Sequence, residues 1–227
     1  MMPETSIAGL PPTRARSVRD RDSTVTAAVR ARAYRLYSIL LASPHELDVD
    51  SLLREETGLH ELRPYGIDLG ALCGEFLNAE MSSRKREYSG LFEVGDAGSP
   101  IAIREQQQYR DVAGILEDLV RFYDYFDYPL HPQYAWAPDH LSVILEFCHL
   151  LCHREGTASE DRLSYQLAQH DFISRHLIEW LPVFADRIDR ARSGSLYAGI
   201  ARSASAYLAR DFAWQAGTVA NEQESPS

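Results

Sequence analysis

Cysteine is scarce in this sequence. The 227 residues hold three, Cys73, Cys148 and Cys152, an odd and sparse set that argues against a secreted disulfide framework. Basic residues are in deficit: 23 Lys and Arg stand against 33 Asp and Glu, a net charge of −10. A general binder of phosphate backbones would show the opposite balance, so no nucleic-acid partner is expected. The acidic surplus suits a positively charged partner, and solubility alone would account for it as well. No run of 18 apolar residues occurs, so no membrane insertion is expected. The opening stretch MMPETSIAGLPPTRARSVRDRDST has arginines with no apolar run behind them, which does not read as a signal peptide. Together these absences point to a reducing cytoplasm. Alternating strand patterns and internal repeats are missing too, as are the G-x-S-x-G, P-loop and H-E-x-x-H motifs of common catalytic sites.

What is present is helical periodicity. Hydrophobic residues make up 45% and charged residues 25%, ordinary values for a globular chain. A single domain of this length buries roughly 70% of its unfolded surface and needs no covalent staples. The spacing predicts an all-α, single-domain helical bundle over residues 23–214. Residues 1–22, rich in Pro, Ser, Thr and Arg, and residues 215–227 are expected to form flexible tails. A first helix is expected over Thr24–Ala42, stopped by Ser43-Pro44 because proline disfavours helix in the residue before it. A second is expected over Asp68–Met81, with Leu69, Leu72, Cys73, Phe76 and Leu77 on one face. A loop then runs through REYSGLFEVGDAGSPIAIREQQQY, and a third helix over Asp111–Tyr125 turns Val112, Ile115, Leu116, Leu119 and Phe122/Tyr123 inward. Pro182 interrupts a later helical pattern, so a new turn or a kink belongs there. Tyr34, Tyr37, Tyr109 and Trp180 read as core or groove.

The densest stretch is YAWAPDHLSVILEFCHLLCHRE, Tyr134 to Glu155. On a helix, Leu141, Ile144, Leu145, Cys148, Leu151 and Cys152 form one apolar stripe, and its cysteines behave as small hydrophobes. Haem attachment needs C-x-x-C-H, whereas three residues separate Cys148 from Cys152. Glu146, His149 and His153 form a more polar stripe, either a solvated face or, with His140, the donor set of a metal-dependent enzyme. At the other end Pro138 suits a first helical turn. Asp139 is placed to cap backbone N–H groups there. The bland reading of Pro-Asp-His is a helix cap with an incidental histidine. The functional one is contact between Asp139, His140 and a partner.

The blocks YRLYSILLASP, REYSGLFEVGD, PDHLSVILEF and FISRHLIEWLPVFADRI, in this order between Arg30 and Trp214, resemble the redox-enzyme maturation chaperones of the TorD/DmsD/NarJ type. Within that family the run looks most like the delta chaperones of type II dimethyl sulfoxide reductase-group molybdoenzymes. The resemblance implies an all-α protein that is not an enzyme and needs no cofactor. It implies that the partner is the cofactor-free catalytic subunit of a molybdoenzyme, often engaged at its twin-arginine signal peptide until the molybdenum cofactor is inserted. A capacity for homodimers is implied as well. The partner-binding residues would be Trp136, Pro138, Asp139 and His140, joined by Glu146 for charge and by Phe92 and Tyr134 for apolar surface. One departure stands out. The family often carries an acidic residue shortly before Pro-Asp-His, where this chain has Tyr134-Ala135-Trp136-Ala137. Trp136 is then the group available to stack on a guanidinium, and nucleotide binding suggested for some relatives is not carried over.

Overall fold

The computed structural model describes residues 22–56, 68–95, 100–110, 113–130 and 137–223. Among them lie nine α-helices: α1 (Ser23–Leu41), α2 (Val49–Glu55), α3 (Leu69–Asn78), α4 (Met81–Tyr88), α5 (Ile115–Tyr125), α6 (Leu141–Thr157), α7 (Arg162–His176), α8 (Trp180–Ala191) and α9 (Leu196–Gln223). No strand occurs among the described residues, and the one β-type pairing is an isolated antiparallel bridge between Arg104 and His140. The helical starts follow local chemistry. Asp22, Asp48 and Asp68 each accept an N–H from the first turn of α1, α2 and α3, satisfying donors the helix itself cannot. Pro182 sits in the first turn of α8, where its missing N–H leaves no bond unmade.

Helix α6 lies at the centre against α1, which it meets along most of its length. The predicted stripe of α6, from Leu141 to Cys152, is buried, and so are Val143 and Phe147 on its other sides. A helix buried over most of its circumference, with only the Glu146, His149 and His153 side partly open, belongs inside a bundle. The two axes come close at Gly156, where an added Cβ would meet the Cβ of Ala27 at 3.2 Å. All three cysteines are buried and free.

Three sequence expectations change. The helix expected over Asp68–Met81 ends at Asn78, because Ala79 and Glu80 turn extended before α4. The segment after it is not a loop at first: α4 runs on into a π-helical turn, Ser89–Glu93. Tyr88, Leu91 and Phe92 are buried there, a spacing of three and four residues that the glycines downstream outweighed in the sequence. Finally, α9 continues past Trp214 to Gln223, with Gln215 and Thr218 buried. Gln215 donates to Asp211 and Thr218 to the Trp214 and Gln215 carbonyls, polar contacts that hydrophobic periodicity does not register. Asp111 and Val112 lie outside the described residues, and α5 begins after Gly114 at φ 85°.

The bundle interior also holds charge. Arg30 donates to Asp211 at 2.6 Å and to Glu155 at 3.0 Å, and all three side chains are fully buried. Gln169 bonds both Arg30 and Glu155, Tyr34 and Gln215 donate to Asp211, and Ser23 donates to Glu155. The Trp214 ring lies 5.0 Å from the guanidinium. This cluster joins α1, α6, α7 and α9, and nothing in the hydrophobic pattern announced it.

Candidate functional site

Pro138, Asp139 and His140 form the entry to α6, and all three are buried. The Asp139 carboxylate accepts from Arg104 Nε at 2.8 Å and from the Gln106 backbone N–H at 3.1 Å, and Arg104 Nη2 lies 2.7 Å away. Asp139 therefore does not cap α6. That place belongs to His140, whose Nδ1 accepts the N–H of Ser142. With Nδ1 an acceptor, the ring proton sits on Nε2, 3.2 Å from the hydroxyl of Tyr88. Burial, opposed by Asp139 and reinforced by Arg104, pushes the His140 pKa down to about 4, so the ring is neutral at ordinary pH. Tyr123 donates to the carbonyl of Pro138 at 2.9 Å.

What Asp139 grips is a strap, residues 101–106, extended as far as Arg104. Ile101 N–H bonds Leu91 O, Leu141 N–H bonds Ile103 O, and Glu105 N–H bonds Asp139 O. The strap then turns through the 3-10 segment Glu105–Gln108. The side chain of Glu105 points on to α7, where both its oxygens lie 3.0–3.1 Å from His176 Nδ1. Burial raises the Glu105 pKa, with His176 opposing. On its other side, His176 Nε2 lies 3.3 Å from Asp118 of α5, out of line for a hydrogen bond.

The remaining sequence candidates divide. Phe92 is in the core, its ring 4.9 Å from Tyr88, 5.7 Å from Tyr197 and 5.8 Å from Phe184. It joins the Pro-Asp-His entry through Tyr88, which touches both. Glu146 is half-buried and accepts the Tyr128 hydroxyl at 2.9 Å. Tyr134 and Trp136 lie outside the described residues. The donor set His140, Glu146, His149 and His153 does not assemble. His149 Nδ1 donates to Ala31 O at 2.9 Å, His140 is buried at the far end of the helix, and the described residues contain no group of three or more His, Cys, Asp or Glu placed to hold a metal. Tyr34, Tyr37 and Trp180 are core, whereas Tyr109 is half-buried in the wall of a hollow.

That hollow, about 500 Å³, is walled by Glu105, Tyr109, Gly114, Asp118, His176 and Glu179. A second of about 600 Å³ adjoins it, walled by Phe122, Tyr125, Phe126, Leu167, Ala168 and His170. Asp118, Arg121 and Arg175 belong to both, so the two form one trough between α5 and α7, polar at one end and apolar at the other. Tyr125 is 76% exposed there and Leu167 36%. The sequence offered a partial signal: Tyr125 and Leu167 are large apolar residues off the core stripe of their helices.

Comparison with known proteins finds relatives among reductase assembly chaperones. The chain is 42% identical over 108 residues to the chlorate reductase assembly chaperone protein of Ideonella dechloratans, covering 45% of this chain and 56% of that one. It is 38% identical over 112 residues to the selenate reductase assembly chaperone protein of Thauera selenatis, covering 47% and 58%. The chaperone protein TorD of Vibrio cholerae is 41% identical over 75 residues, 32% of this chain and 34% of that one. The chain thus spans a little over half the length of the first two relatives. No solved structure matches it. The family model for the nitrate reductase delta subunit matches residues 67–186, more than half of the chain and the segment that holds the strap, the Pro-Asp-His entry and the trough. This chain belongs to the nitrate reductase delta subunit family, the TorD/NarJ type of maturation chaperone.

Proposed function

We propose that this protein is a system-specific assembly chaperone that binds the cofactor-free catalytic subunit of a molybdoenzyme in the cytoplasm and has no turnover of its own. The observation that carries this reading is the likeness to chaperones named for chlorate, selenate and perchlorate reductase assembly. The composition agrees with it. A client recognised through a twin-arginine leader presents two cations and an apolar stretch, and its receptor needs carboxylates beside an aromatic or aliphatic groove. A net charge of −10 and a trough with one polar and one apolar end meet that need. No helix among the described residues is long and apolar enough to cross a membrane. A holding chaperone must also let go, so micromolar binding, near −8 kcal/mol, serves the cycle better than picomolar binding.

The test is affinity capture with this chain in its native host, with retained proteins identified by mass spectrometry. The expected result is enrichment of a molybdopterin-type catalytic subunit with its leader uncleaved. If no such subunit is enriched while one is expressed, the reading is wrong.

A further inference from the structure

The Pro-Asp-His entry presents little to a ligand. Asp139 is fully buried and His140 is 7% exposed, and the Asp139 carboxylate is occupied by Arg104 and Gln106. The strap it holds does reach a surface, because Glu105 follows Arg104 and walls the polar end of the α5–α7 trough. We infer that the client's basic-apolar leader segment docks along this trough, and that Asp139 is a positioning residue acting through the strap. The inference rests on the chaperone reading above.

Charge and shape both favour that occupant. Across the two hollows Asp118, Asp171 and Glu179 stand with two guanidinium groups, Arg121 and Arg175, while Glu105, 1% exposed, is answered by His176. The trough therefore carries surplus negative charge. Its internal pairs are surface pairs: Arg175, 51% exposed, donates to Asp171 at 2.9 Å and to Asp118 at 3.3 Å, and Arg121, 77% exposed, lies 3.8 Å from Asp118, exposures at which an ion pair contributes little. An incoming arginine can take the Asp118 carboxylate with a bidentate pair, while Glu179 stands exposed at the start of α8. Beyond them the wall turns apolar, with Tyr125 and Leu167 partly or largely in water although each is a side chain that gains from burial. A segment with cations at one end and apolar residues at the other matches this order along the trough.

Asp139 fits the positioning role by its contacts. Through Arg104 and the Gln106 N–H it fixes the strap backbone that carries Glu105, and Glu105 in turn bonds His176 on α7. Loss of Asp139 would move the polar wall without removing any atom the leader touches.

The test uses the full chain and a synthetic peptide with an Arg-Arg pair followed by an apolar run, titrated by calorimetry, alongside capture of the client subunit with and without its leader. Tyr125→Glu and Leu167→Glu are expected to weaken peptide binding at least tenfold each, and Glu179→Lys several-fold. Val183→Glu, at a 48% exposed apolar site on α8, is expected to leave it unchanged. A photo-crosslinker beside the peptide's arginines is expected to label α5 and α7. Circular dichroism of each variant separates loss of binding from loss of fold. Wild-type affinity in the folded trough variants, or labelling confined to residues 131–141, overturns the docking site while leaving the chaperone reading intact. Leaderless client captured as well as the full subunit, with no binding of the peptide, overturns the docking site in the same way. Failure to capture the client in any form overturns the chaperone reading and the docking site with it.

Discussion

Two buried ion pairs in this protein look alike in a list of contacts and differ in what surrounds them. Arg30, Asp211 and Glu155 are sealed in the centre of the bundle, each fully buried and drawn from residues as far as 181 positions apart. Arg104 and Asp139 are closer in the chain, and Arg104 keeps 22% of its side chain in solvent. The first cluster has every charge answered by protein groups on four helices, so it can only hold those helices in register. The second holds one short strap whose next residue walls an open trough. Burial alone does not distinguish a charge cluster that locks helices together from one that fixes the wall of an open trough; the element it fixes does.

The sharpest way to break the comparison is to remove one cation from each. Arg30→Ala leaves Asp211 and Glu155 buried without their partner, and an expected loss of about 3–5 kcal/mol places the chain near the limit of folding. Urea denaturation followed by circular dichroism measures it, and a loss under about 1 kcal/mol would mean that water reaches the cluster. Asp139→Ala should cost less, about 2–3 kcal/mol, because Arg104 can turn to solvent while Gln106 N–H loses its acceptor. It should leave a folded protein whose hydrogen exchange rises at residues 101–106 and stays unchanged in α1 and α9. Equal exchange across both regions would erase the distinction.

Acid sharpens the comparison further. His140 has its pKa depressed to about 4 in the folded state, against about 6.5 when unfolded. The unfolded chain therefore binds the proton first, and stability present above pH 6.5 falls as the pH drops towards 4. At pH 5 this amounts to about 2 kcal/mol. His140→Gln should flatten that limb of the stability–pH curve. His149, also depressed by burial, remains to give part of the slope, while Glu105, whose pKa is raised, acts in the opposite sense. An unchanged limb would show that His140 reaches water. The smallest effect belongs to the surface: Arg190 and Asp186, 80% and 71% exposed, form a pair whose loss in Arg190→Ala should stay below about 1 kcal/mol.

The helices were legible where apolar residues recur at helical spacing. The stripe Leu141–Cys152, the stop at Ser43-Pro44 and the break around Pro182 all follow from local rules, and the structure has each of them. The π-turn at Ser89–Glu93 was half legible, since Tyr88, Leu91 and Phe92 carry the spacing while Gly95, Gly98 and Pro100 mark a loop. The Pro-Asp-His entry was legible as a place but not as a geometry. Sequence put Asp139 at the helix cap, and the strap claimed it instead, because a carboxylate between an arginine and a free N–H gains more there than at a cap His140 can fill.

By itself, then, the sequence determined the all-α class, the core faces and the family, since these rest on periodicity and on the order of short blocks along one chain. The tertiary structure alone decided which charges are partners. Arg30 finds Asp211 and Glu155, Glu105 finds His176, and α5 lies beside α7 to make a trough. These pairings depend on how helices distant in sequence come to lie together, and a polar residue carries no periodic sign of the helix it will meet.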